Sequence, residues 1–153
     1  MRITTWGEYG LIVGLHLAKQ SGDPPVPARD VAEAEQLPPD YIEQILLKLR
    51  RAGLVESVRG AKGGYRLART PDAITVKDVV EAAEDRAFFE VNCDVHQVDQ
   101  DRCRPSTACS IRPVWRELQR RIDDLLASIT LADLLAREPH VEHLVTLTAA
   151  PRD

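Results

Sequence analysis

A mainly α-helical fold with one small β-hairpin is what this sequence predicts, on three observations. Two helical apolar patterns are separated by the turn Gln36-Leu-Pro-Pro39. A glycine-rich hairpin pattern follows, with glycines at 60, 63 and 64 between the runs Leu54–Val58 and Tyr65–Leu67. Further on, Trp115, Leu118, Ile122, Leu125 and Ile129 recur three and four apart, as a heptad seam does. Together they describe a winged helix-turn-helix followed by a long helix suited to dimerisation.

The elements follow in order. Thr5 is placed to cap a first helix from Trp6 to about Lys19, with Tyr9, Ile12, Val13 and Leu17 near helical spacing. Ser21-Gly-Asp-Pro-Pro breaks it. Pro27 suits the first turn of a short second helix that turns Val31 and Ala32 inward. Pro38 and Pro39 open a third, to about Ala52, where Ile42, Ile45, Leu46 and Leu49 make a one-sided stripe and Gly53 is the stop. The hairpin is next. Thr75 with Asp78 forms a capping-box pattern for a helix to about Ala83. Residues 84–110 show no period and read as a loop, and loops of this length are usually functional. Pro113 opens the long helix, and Thr130 with Asp133 caps a short last one. The expected organisation is a DNA-binding domain over 1–72, whose residues 1–20 also lie near a sensor loop. Residues 73–136 hold that loop (about 90–110) and the dimerisation helix (about 112–129), and 137–153 form a tail.

Composition narrows the function. The 153 residues are 44% hydrophobic and 29% charged, the range of a soluble globular chain. No apolar run reaches the roughly 20 residues of a membrane span. The start lacks a secretory signal, so a cytoplasmic protein is expected. The net charge of −4 is unevenly spread. Residues 1–70 hold ten basic and eight acidic side chains (+2), and residues 71–153 ten and sixteen (−6). Between 45 and 69 seven basic residues face only Glu56, a local stripe of the kind that phosphate contact needs. No nucleophile elbow, phosphate loop or acid/base pair is present, so an enzyme is not expected.

In a helix-turn-helix the second helix of the motif enters the major groove. Here that helix is 38–52, and Asp40, Tyr41, Gln44, Lys48 and Arg51 lie opposite its apolar stripe. Gln44 is suited to adenine, and Tyr41 to a phosphate or a thymine methyl. Lys48 and Arg51 suit phosphates. Arg59 and Lys62, at the wing tip, suit the minor groove or backbone, and the wing glycines permit close approach.

Cys93, Cys103 and Cys109 are the only cysteines and share one 17-residue span, spaced Cys-x9-Cys-x5-Cys. In a cytoplasmic chain such clustering points to a metal or redox role rather than disulfides. Without Cys-x2-Cys a zinc ribbon is disfavoured. Three thiolates suit an iron–sulfur cluster that takes a fourth ligand elsewhere, and the alternative is three thiols with no cofactor.

Several stretches carry a family resemblance: Thr4 to Leu17, Val31 through Val55, the wing Arg59-Gly through Gly63-Gly-Tyr-Arg-Leu67, Ile74 to Val80, and Cys109-Ser-Ile-Arg-Pro-Val-Trp115. Over roughly residues 1–136 the sequence resembles the Rrf-two family of bacterial transcription regulators. The resemblance implies a winged helix, a long dimerisation helix and a homodimer on palindromic double-stranded DNA. It also implies, as in several members, an iron–sulfur cluster whose state sets DNA affinity, with a two-iron form expected ahead of a four-iron one. The implied function is a repressor that senses redox state, nitric oxide or iron–sulfur status. The alternative is a clusterless regulator controlled by a protein partner or by thiol oxidation. Arg112 stands three residues after Cys109, where some members carry a histidine ligand. Other members use a carboxylate at the start of the first helix, the place Glu8 holds here; His96 and His16 are weaker candidates. The loop immediately precedes the long helix, so a change in it is expected to alter the spacing of two reading heads whose half-sites lie about 34–36 Å apart.

Overall fold

The computed structural model describes residues 4–20, 24–84, 110–136, 140, 141 and 145. The three cysteines, His96 and most of the expected tail lie outside the described residues. Helix α1 spans Thr5–Lys19. Its cap is Thr4, one residue before the expected Thr5, and the Thr4 hydroxyl accepts the Trp6 N–H at 3.2 Å. Helix α2 spans Ala28–Glu35, with extended Pro27 just outside it as the cap. It stops at Gln36, whose φ of 54° is left-handed, and the Leu37 N–H closes the end onto the Ala32 carbonyl at 3.0 Å. Helix α3 spans Pro39–Arg51 and buries Ile42, Ile45, Leu46 and Leu49, the predicted stripe. Gly53, at φ 72°, donates to Arg50 and lets Leu54 donate to Leu49, both at 3.0 Å, which ends α3 as predicted.

The wing is the antiparallel pair β1 (Val55–Val58) and β2 (Gly64–Leu67), with Val55 opposite Leu67 and Val58 opposite Gly64. Val26 adds a pairing that the sequence did not announce. It exchanges two backbone hydrogen bonds of 2.8 Å with Tyr65, which fastens the approach to α2 onto the wing. Gly64 makes this possible, since a Cβ there would lie 2.5 Å from the Val26 carbonyl carbon and oxygen. Backbone cannot step aside as a flexible side chain can. Gly64→Ala is therefore expected to cost about 1–3 kcal/mol in urea unfolding. A loss below about 0.5 kcal/mol would mean the Val26 strand is not held there.

Helix α4 (Val76–Glu84) starts at the predicted box: Thr75 N–H donates to Asp78 at 3.0 Å, and Asp78 N–H to Thr75 at 3.1 Å. Helix α5 spans Arg112–Ser128 and helix α6 spans Leu131–Leu134. Between them the seam departs from expectation. Ile129 has left the helix, and its carbonyl accepts the Val76 N–H at 2.8 Å while Leu131 N–H reaches Ile74 at 2.9 Å. Thr75 and Thr130 thus pair as a short bridge that brings the chain back onto the start of α4. One core results, in which Ile74, Val79 and Leu131 pack with Val13, Leu17, Ile42, Ile45, Leu46 and Leu49. A second cluster joins Val76, Val80 and Ile129 to Leu125 and Leu126 of α5. Among the described residues no helix is long and apolar enough to cross a membrane.

The α6 cap is a titratable device. Thr130 donates to Asp133 through its backbone N–H at 2.9 Å and its hydroxyl at 2.7 Å. These bonds, the backbone one first, hold the Asp133 carboxyl below its ordinary value. Its stabilising contribution is complete above the unfolded-state pKa of about 3.9 and fades as pH falls through the lower folded value. Asp133→Asn is expected to remove that part of the acid-side slope of stability, measured by unfolding from neutral pH downward.

Candidate nucleic-acid interface

The turn at Gln36 to Pro38 sets α3 as the second helix of a helix-turn-helix, packed on α1 and α2 by its buried stripe. The opposite face is open: Asp40, Tyr41, Glu43, Gln44, Arg50 and Arg51 are all exposed. Gln44 and Arg51 have no hydrogen-bond or ion-pair partner among the described residues. At the wing tip Arg59 and Lys62 are exposed and likewise unpartnered among the described residues. Other cations nearby are committed within the chain: Arg66 of the wing pairs with Glu56 across the hairpin at 2.5 Å, and Arg50 of α3 donates to Ser57 of the wing at 3.2 Å. An unpaired cation keeps its full attraction for a phosphate, because no internal bond must break first.

Two expected contact residues are engaged internally. Tyr41, 40% exposed, stacks on Trp6 with ring centroids 5.0 Å apart and meets Tyr9 edge-on at 6.0 Å. Lys48 donates to the Ala83 carbonyl at 2.7 Å and lies 4.2 Å from the Trp6 ring centroid. Trp6 therefore supports the α3 face. Its position outside the helix-turn-helix hid that role, and its only signal in the sequence was an aromatic at a helix start. Gly64 also has a use within the fold that the sequence did not announce: it admits Val26 of the same chain.

The comparisons with known proteins decide the class. The sequence profile of Rrf2, described as an iron-dependent transcriptional regulator, matches residues 3–137. The chain belongs to the Rrf2 family. It is similar to the HTH-type transcriptional regulator IscR of Vibrio cholerae, 39% identical over 135 residues, covering 88% of this chain and 75% of that one. Among solved structures, T. potens IscR matches with a TM-score of 0.69 at 35% identity, covering 88% of this chain and 86% of that one. CymR of B. subtilis, the global cysteine regulator, matches with a TM-score of 0.70 at 35% identity, covering 88% of this chain and 95% of that one. This Rrf2-family chain is accordingly a winged-helix transcriptional regulator and not an enzyme, as its sequence predicts.

Of the four residues expected to hold a cluster, only Glu8 is described. It is exposed in the first turn of α1, one turn from Thr4, whose hydroxyl donates to Glu84 at the end of α4. Among the described residues no three His, Cys, Asp or Glu side chains come together as a metal site. His16 is buried and hydrogen-bonded to Glu35 at 2.7 Å, a pairing that joins α1 to α2. Arg112 is the first residue of α5.

The long helix is used differently along its length. Its first part leaves Ile111 58%, Val114 61%, Trp115 42% and Leu118 37% exposed. Its last part packs Leu125 and Leu126 on the chain's own second cluster. On the polar side, Arg120 and Arg121 donate to Glu117 and hold its carboxyl down at about 2, without burial.

Proposed function

We propose that this Rrf2-family regulator is a cytoplasmic, homodimeric repressor of palindromic DNA whose affinity is set by an iron–sulfur cluster. Cys93, Cys103, Cys109 and Glu8 would hold the cluster, with a two-iron form favoured. The observation that carries the reading is the position of Glu8. Thr4 and Glu84 tie the start of α1 to the end of α4, from which the chain runs into the cysteine segment. A carboxylate on an exposed turn there, with no partner among the described residues, suits the one ligand that three thiolates lack. Bound, such a group supplies a centre that reacts with oxidants and nitric oxide.

The chain's own residues do the rest. Gln44 and Tyr41 read base edges or methyls from α3, and Arg51, Arg59 and Lys62 meet phosphates. The exposed Ile111, Val114, Trp115 and Leu118 pack against the same residues of a second copy, since an apolar face of this kind is otherwise left in water.

The test is anaerobic purification with visible spectroscopy and iron and sulfide analysis. Duplex affinity is then measured at fixed salt before and after cluster removal, with light scattering for the dimer. A brown protein whose DNA affinity changes on removal, and which loses iron in Glu8→Ala, is expected. Equal affinities with and without iron would sink the sensing role. A colourless, iron-free dimer that binds DNA supports the second reading, a clusterless regulator controlled by a protein partner or thiol oxidation. The comparable likeness to B. subtilis CymR favours that one.

A further inference from the structure

Three cations lie on α3, and they are used differently. Arg51 is exposed and Arg50 reaches Ser57 on the wing, but Lys48 is half-buried. Its ammonium donates to the Ala83 carbonyl at 2.7 Å, thirty-five residues further along the chain. Ala83 lies in the last turn of α4, where carbonyls have no partner within the helix and the helix dipole favours a cation. The same ammonium lies 4.2 Å from the centroid of the Trp6 ring, whose electron-rich face attracts it. Trp6 in turn stacks on Tyr41 in the first turn of α3. The reading helix is thus held near both ends, by Tyr41 and by Lys48, against one tryptophan of α1. The second hold also caps α4.

We propose that Lys48 is a positioning residue for DNA binding and not a phosphate contact. It sets the seat of α3 against α1 and α4 by capping α4 and lying over Trp6. The inference rests on the reading of α3 as the DNA-recognition helix. A phosphate would have to compete with a partly desolvated, charge-assisted hydrogen bond and a ring face together, whereas Arg51, Arg59 and Lys62 have no such partner among the described residues. Because α4 runs to Glu84 and the cysteine-bearing stretch follows it in sequence, Lys48 is also one of the links through which a shift of that helix end reaches α3, beside the core contacts of Val79.

The full chain is tested on two probes: a duplex enriched by the wild-type protein from a random-sequence pool, and a mixed-sequence duplex of the same length. Affinities are read by fluorescence anisotropy over a salt series, for Lys48→Met, Trp6→Phe and, as a phosphate-contact reference, Arg59→Met. Each lost phosphate contact lowers the slope of log affinity against log salt by about 0.9, hence about 1.8 for one substitution carried by both subunits of a dimer, and weakens both duplexes alike. Lys48→Met is expected to lose about tenfold or more on the enriched duplex, within the range of one misread base pair. It should keep the wild-type salt slope and the wild-type affinity for the mixed-sequence duplex. Trp6→Phe keeps a ring for Tyr41 but weakens the seat of the ammonium. It should show the same pattern with a smaller loss, and it carries the test if Lys48→Met does not fold. A salt slope for Lys48→Met that falls as it does for Arg59→Met overturns the positioning role and makes Lys48 a phosphate contact. Unchanged affinity of Trp6→Phe for the enriched duplex overturns it too. A wild-type chain that enriches no duplex overturns both this role and the DNA-reading function it rests on.

Discussion

Leu131→Ala is expected to destabilise the protein by roughly 2–5 kcal/mol, as much as a change at the centre of α3. Leu131 is wholly buried and shares one core with Val13, Leu17, Ile42, Ile45, Leu46 and Leu49. Its methyls lie against Gly14: a Cβ there would be 3.5 Å from Leu131 Cδ1. Truncation would leave a cavity whose walls are helices, which collapse poorly into it. Urea unfolding at fixed protein concentration measures the effect, and Leu135→Ala, at a site 39% exposed, is the control, expected within about 0.5 kcal/mol of wild type. A loss at Leu131 no larger than at Leu135 would mean that α6 is not part of the winged-helix core. DNA binding should fall with stability, although Leu131 lies far from the reading face in sequence.

The second large effect concerns the wing. Arg59→Ala with Lys62→Ala removes two exposed cations that lack any partner among the described residues. In a dimer with both wings engaged, four phosphate contacts are lost. The slope of log affinity against log salt should then shrink by about 3.6, and affinity near physiological salt should fall on the order of 100-fold. Stability should change little, since neither side chain holds the fold. An unchanged salt slope would show that the wing does not touch the backbone of DNA. Arg66 is the instructive contrast. It lies on the same hairpin, but its pairing with Glu56 predicts a smaller electrostatic effect on DNA and a larger one on the hairpin.

Much of this was legible in the residues themselves. The α3 stripe, the Gly53 stop, both Thr–Asp caps and the hairpin are local, each spanning at most a few turns, so spacing alone reveals them. The class of protein was legible for the same reason: the wing and the helix before it are contiguous in sequence. The basic stripe was legible as charge, but charge does not say which cation is free. Arg50, Arg66 and Lys48 look equivalent to Arg51, Arg59 and Lys62 in the sequence, and only their distant neighbours Ser57, Glu56 and Ala83 separate them.

The heptad seam shows the same division. Periodicity ran it without a break to Ile129, yet the last residue belongs to a bridge with the start of α4 and to a core cluster. A buried Ile serves either purpose, and the pattern of apolar residues cannot tell a partner copy from the chain's own surface.

What the sequence by itself determined, then, is most of what near neighbours hold: the helices, the two Thr–Asp caps, the wing hairpin and the family they identify. Tertiary structure alone decided the features whose partners lie far along the chain. Val26 is laid against Gly64, Leu131 is returned to the first core, and Lys48 is drawn off the reading face onto Ala83 and Trp6. The reason is physical: local hydrogen bonding and periodicity act along the chain, whereas close packing and the partnering of charges act through space between segments whose separation in sequence carries no signal.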